Sequence, residues 1–99
     1  MWPWLKRWIG QGRRQRPDLR FILYTRAGCH LCEVAMDLLT RLRHNYGFSL
    51  ETRDVDADPA LKSRYDQCVP VVEVNGKERY RGRINEVLLQ RIIDAPNDS

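Results

Sequence analysis

Nowhere in this chain do 18 or so apolar residues follow one another, so no segment is expected to cross a membrane as a helix. Cysteine is scarce: three in 99 residues, too few and too unevenly placed for a disulfide-stapled secreted scaffold. Internal repeats and low-complexity tracts are missing. No secretory signal is expected, because charges interrupt the apolar stretch at the N-terminus and no small-residue cleavage site follows it. Beyond residue 18 the chain also lacks net charge. Lys6, Arg7, Arg13, Arg14 and Arg16 against Asp18 account for the whole +4 of the protein. The basic character therefore belongs to an arm and not to a domain, and no nucleic-acid partner is expected.

What remains is one modest soluble domain, with 30% charged and 42% hydrophobic residues. Its organising stretch is Cys29-His30-Leu31-Cys32. It follows an apolar run, Phe21-Ile22-Leu23-Tyr24, and a Thr25-Arg26-Ala27-Gly28 turn. After it, Leu31, Val34, Ala35, Leu38, Leu39 and Leu42 recur at the spacing of one helix face. The two cysteines thus sit at a strand-to-helix junction, with Cys29 at or just before the first turn. The first N–H groups of a helix have no intrahelical partner and carry the positive end of its dipole, so a Cys29 thiolate is favoured there. Cys32, one turn on, can reach the Cys29 sulfur. Such a dithiol opens and closes, which implies a thiol–disulfide oxidoreductase. An odd cysteine count with two in C-x-x-C also suits a reducing compartment, and a cytoplasmic protein is expected.

The helix is expected to run to about Asn45, with Gly47 just past its end. Phe48 to Val55 reads as a second strand, closing a βαβ unit with parallel strands. Asp58-Pro59 starts a short helix through about Tyr65, Asp capping and Pro tolerated at the first position. Val71 to Val74 and Lys77 to Arg81 form a hairpin about Asn75-Gly76. A last helix is expected to present Ile84, Val87, Leu88, Arg91 and Ile92 on one face, ending at Ala95-Pro96. The expected fold class is α/β, a four-stranded mixed sheet in the order β-α-β-α-β-β-α with helices on both faces. The domain is expected over 19–95, between an arm at 1–18 and a tail at 96–99. In the arm, Trp4, Leu5, Trp8 and Ile9 share one helical face opposite Lys6 and Arg7. Such a segment is expected to lie in a membrane interface, to dock on a partner through residues 1–16, or to pack loosely on its own domain or be partly disordered.

Over Arg20 to Asp94 the chain resembles the thioredoxin superfamily and, within it, the glutaredoxin-like proteins. Three features carry the likeness: Tyr24 to Cys32, then Cys68-Val69-Pro70, then Gly82 before the last helix. The resemblance implies a thioredoxin-like fold, Cys29 as nucleophile, Cys32 as resolving thiol and Pro70 as a cis-proline facing them. It implies that the backbone of Val69 pairs with an extended substrate as an added strand. Arg26 stands where the family has a lysine near the first cysteine, and Arg83 could face a carboxylate. Glutathione is therefore a conceivable co-substrate, although Cys68-Val69-Pro70 replaces the usual Thr-Val-Pro. The Gly-Gly and acidic pair ahead of the last helix are absent, Arg81-Gly82-Arg83-Ile84-Asn85 standing there instead. The His30-Leu31 dipeptide also departs from the usual Pro-Tyr.

The implied reaction is attack of the Cys29 thiolate on a protein or small-molecule disulfide, then release by Cys32. Arg26 and His30, if charged nearby, would lower the Cys29 pKa further. The redox-active disulfide is the only expected cofactor, no metal is assigned, and the electron donor is a thiol the sequence does not name. A monomer is expected. Cys68 is either a regulatory partner of the dithiol or a small buried filler. Two rival readings remain: a metal or iron–sulfur module using Cys29, Cys32 and Cys68, and a non-enzymatic adaptor acting through the arm. Glu33 after the second cysteine excludes a c-type haem.

Overall fold

Phe21 and Leu23 point to one face of a sheet and Ile22 and Tyr24 to the other, and both faces are covered. In the computed structural model, which describes residues 15–65 and 69–95, this run is strand β1 (Arg20–Thr25). It is followed by α1 (His30–Tyr46), β2 (Ser49–Asp54), a 3-10 turn (Val55–Ala57) and α2 (Pro59–Tyr65). Strands β3 (Val71–Val74) and β4 (Lys77–Arg81) and helix α3 (Glu86–Asp94) complete the chain. The strands lie in the order β2-β1-β3-β4. β1 is parallel to β2, with Leu23 opposite Thr52, and antiparallel to β3, with Leu23 opposite Val72. The expected element order and mixed four-stranded sheet are what the chain adopts. Most of the expected arm, Cys68 and the expected tail at 96–99 lie outside the described residues.

Two apolar layers hold the sheet. On one face Phe21, Leu23, Val72 and Val74 pack with Ala35, Leu39 and Leu42 of α1 and with Leu89, Ile92 and Ile93 of α3. On the other, Tyr24, Val71 and Val55 pack with Tyr65 of α2. Period-two alternation in a central strand thus feeds two cores.

Local signals explain the joints. Gly47 takes a left-handed φ of 73° and its N–H donates to the Arg43 carbonyl, closing α1 as expected. Asn75 and Gly76 both have positive φ, 51° and 85°, which is the requirement of a type I′ hairpin turn. Asp58 Oδ1 accepts the Ala60 N–H at 2.9 Å, holding the first turn of α2.

The helical faces differ from the expected ones. In α1 the buried stripe is Cys32, Ala35, Leu39 and Leu42, while Leu31 and Val34 are 37% and 42% exposed. In α3 the core takes Leu89, Ile92 and Ile93, and Val87 is left 62% exposed. Ile84 is buried from the loop ahead of α3, not from the helix, which begins only after its Asn85 cap. Apolar residues at 87, 88, 89, 92 and 93 cover more than one face, so periodicity alone does not choose which side meets the sheet.

Arg16, grouped by the sequence with the other cations of the arm, is buried. Its guanidinium forks onto Asp18 (3.0 and 2.9 Å) and donates to the carbonyls of Ile93 and Ala95, the latter at 2.6 Å. It therefore satisfies carbonyls at the end of α3 that have no N–H of their own helix to accept.

Candidate functional site

The strand register brings four chain segments to one end of the sheet. Tyr24 lies opposite both Arg53 of β2 and Val71 of β3, and Val71 lies opposite Arg81 of β4. The turn after β1, the 3-10 turn after β2, the Val69-Pro70 approach to β3 and the Gly82-Arg83 exit from β4 therefore meet there. Gly28, at φ 77°, makes the corner that turns the chain from β1 into α1.

Cys29 is the N-cap of α1. Its backbone is extended (φ −102°, ψ 109°), its carbonyl accepts the Glu33 N–H at 3.1 Å, and its Sγ accepts the Cys32 N–H at 3.2 Å. Cys29 and Cys32 are joined as a disulfide with their Cα atoms 5.2 Å apart. Their exposures differ: Cys29 is half-buried, whereas Cys32 is 2% exposed and packed at the start of the buried stripe of α1. An incoming disulfide can reach the first sulfur and not the second. In the dithiol state the N–H that points at Cys29 Sγ, together with the helix dipole, favours the thiolate.

A groove of about 290 Å³ runs beside the pair, lined among others by Gly28, Cys32, Glu33, Met36 and Asp37. Arg26 lines it too, but its guanidinium is paired with Asp56 at 2.7 and 3.2 Å. The hydrogen bond from Arg26 holds the Asp56 carboxyl below the usual carboxylate range. His30, the first residue of α1, has a side chain 84% exposed, with Nδ1 3.8 Å from Glu33 Oε1. It faces solvent at the rim and does not cover the disulfide.

The Val69–Pro70 peptide is cis, as the resemblance implies. Pro70 is buried and Val69 half-buried, and the Pro70 carbonyl accepts the Gly82 N–H at 2.7 Å. Gly82 has a φ of 80°, and Arg83 next to it is exposed. The structure thus brings Cys29, Cys32, Arg26, His30, Val69, Pro70, Gly82 and Arg83 to one end of the sheet. Cys68 is outside the described residues, so its part in the site and in a metal-binding module is not placed. Among the described residues, no three His, Cys, Asp or Glu side chains converge as a ligand set. The sequence reading missed Asp56. Its signal was the Asp54, Asp56, Asp58 series at the end of β2 and just beyond it, which the Thr25–Asp54 register sets beside Arg26.

Comparison with known proteins follows the same boundaries. Residues 20–94 match the family described as glutaredoxin-like domain (DUF836). An uncharacterized protein of Mycobacterium tuberculosis is 33% identical over 76 residues, covering 72% of this chain and 76% of the relative. A crystal structure of a structural-genomics target from X. campestris has a TM-score of 0.64 at 30% identity. It covers 77% of this chain and 99% of that one. A protein from Nitrosomonas europaea solved by NMR gives 0.66 at 27% identity, over 80% and 94% of the two chains. A mutant thioredoxin from Halobacterium salinarum gives 0.62 at 22% identity, over 78% of this chain and 73% of that one. At that identity the likeness speaks for the fold alone, and the fold is thioredoxin-like.

Proposed function

Because this chain belongs to the glutaredoxin-like domain (DUF836) family, we propose that it is a thiol–disulfide oxidoreductase in which Cys29 attacks and Cys32 resolves. One observation carries the reading: the two sulfurs are paired at the N-cap of α1, the first accessible and the second buried behind it. In the dithiol state the Cys29 thiolate attacks a substrate disulfide along the S–S axis. A mixed disulfide forms, and the leaving thiolate takes up a proton. Cys32 then loses its proton and attacks Cys29 Sγ, the substrate's second thiol departs, and the intramolecular disulfide is restored. Two electrons pass from the protein to the substrate in each cycle, and an external thiol returns them.

Substrates in this reading are protein or small-molecule disulfides, and the protein works as a cytoplasmic monomer with no tightly bound cofactor. Glutathione is a co-substrate in the proposal only as far as exposed Arg83 offers a cation to one of its carboxylates. Arg26 has Asp56 as its nearer obligation.

The test is the thiol pKa of Cys29, from the pH dependence of alkylation in Cys32→Ser, with a redox titration of the wild-type pair. A pKa well under the ~8.5 of a free cysteine is expected, together with a reversible two-electron couple. Turnover of hydroxyethyl disulfide should be lost in Cys29→Ser. An ordinary pKa with no reversible couple would overturn the enzyme reading.

A further inference from the structure

The fourteen residues ahead of Gln15 hold every tryptophan of the protein, Trp2, Trp4 and Trp8. Their point of entry into the fold is fixed. Gln15 Nε2 donates to the Asn45 carbonyl, the Arg16 N–H donates to the Tyr46 carbonyl, and the Arg16 guanidinium donates to Ile93 and Ala95. The chain therefore enters the fold beside the last turn of α1, one arginine side chain away from the C-terminal end of α3. On the outward side of that helix is an open groove lined by Glu86, Val87, Gln90, Arg91, Asp94 and Ala95. Val87 is the large apolar side chain of that lining, and it is more exposed than the other large apolar side chains of the described residues.

Reach and charge both suit the arm. Fourteen residues in helical form span about 21 Å at 1.5 Å each, and the nine of α3 span about 14 Å. The groove carries Asp94, and Glu86 already paired with Arg41 at 2.9 Å, against Arg91, whereas residues 1–14 carry Lys6, Arg7, Arg13 and Arg14 and no acid. A helix this short is marginal alone and needs a surface to lie on. We propose that residues 1–14 fold back along α3 and seat the Trp4, Leu5, Trp8 and Ile9 face in this groove over Val87. The occupant is thus the chain's own arm, and neither a lipid surface nor a second copy.

Because the arm holds all the tryptophans, intrinsic tryptophan fluorescence of the full chain reads its environment and nothing else. The readout does not depend on redox activity. The wild-type emission is expected to be blue-shifted from that of N-acetyltryptophanamide, at every protein concentration and without lipid. Val87→Asp puts a charge in the groove at the first turn of α3, where an acidic residue suits the helix. It should move the emission to that of the reference compound with far-UV circular dichroism unchanged, whereas Val87→Leu should keep the shift. An unshifted wild-type emission would overturn the proposal, and so would a blue shift that survives Val87→Asp. A shift that grows with protein concentration would assign the arm to a second copy. One that appears only with phosphatidylglycerol vesicles would assign it to a membrane. Either overturns intramolecular docking.

Discussion

Tyr24 is buried in the face of the sheet opposite α1, its ring 4.8 Å from that of Tyr65 and its hydroxyl donating to Glu73 Oε1 at 2.9 Å. Burial, and then the hydrogen bond to Glu73, push its phenol up to about 12. An unfolded chain ionises this group near pH 10, so between about pH 10 and 12 the unfolded state sheds a proton that the folded state keeps. The stabilisation is whole below pH 10 and is lost as pH rises through the folded value. Alkaline unfolding is thus expected to steepen in that interval, by up to about 3 kcal/mol. In Tyr24→Phe that slope should flatten, at a cost near neutrality of about 1 kcal/mol for the lost hydrogen bond. Urea denaturation at a series of pH values, with tyrosinate absorbance followed in parallel, checks both. The alternation of β1 places Tyr24 on this face from sequence alone. The Glu73 partner was not legible, because it depends on how β3 registers against β1. Cys29 was legible as the helix start because its signals, turn, glycine and periodic run, are all local.

Helices were legible in extent and less so in orientation. The local chemistry of Gly47, Asp58-Pro59 and Asn75-Gly76 fixes where elements end, and those ends lie where the residues predict. Which side of a helix is buried depends on how the helix rolls against the sheet, and no residue of the helix encodes that by itself. In α1, Leu31 and Leu39 both belong to the apolar pattern, yet Leu39 is fully buried and Leu31 is 37% exposed. Leu39→Ala is expected to destabilise the protein by about 2–5 kcal/mol through lost transfer energy and a cavity. Leu31→Ala should cost under about 1 kcal/mol, since little apolar area returns to water. Chemical denaturation of the two variants at a common pH separates them. Equal costs would mean that α1 is rolled differently against β1.

The whole molecule has two ends with different tasks. At one, four segments converge on Cys29 and Cys32. At the other, Arg16 ties the start of the domain to the last carbonyls of α3, while its own N–H reaches the last turn of α1. Asp18 beside it, through its hydrogen bond first, holds the guanidinium above its ordinary pKa, so the charge is permanent. The six-residue β1 separates the two ends by about 20 Å at 3.3 Å per residue, and no described contact runs directly from Arg16 to the disulfide. Sequence reasoning placed Arg16 in the basic arm because an arginine near Arg13 and Arg14 carries no sign of burial. Its partners are carbonyls nearly eighty residues away. Arg16→Met keeps the stem and removes the donors to two carbonyls and to the Asp18 carboxylate. A loss of about 3 kcal/mol follows from the range for buried charged hydrogen bonds. Because this loss falls at the far end, the Cys29 alkylation rate and the potential of the dithiol should match wild type under conditions where the variant is folded. Thermal unfolding together with a glutathione redox titration makes the comparison. A shift in potential along with stability would mean that α1 transmits strain from its C-terminus to its N-cap. An unchanged potential would assign the two ends separate duties, holding the fold at Arg16 and exchanging electrons at Cys29.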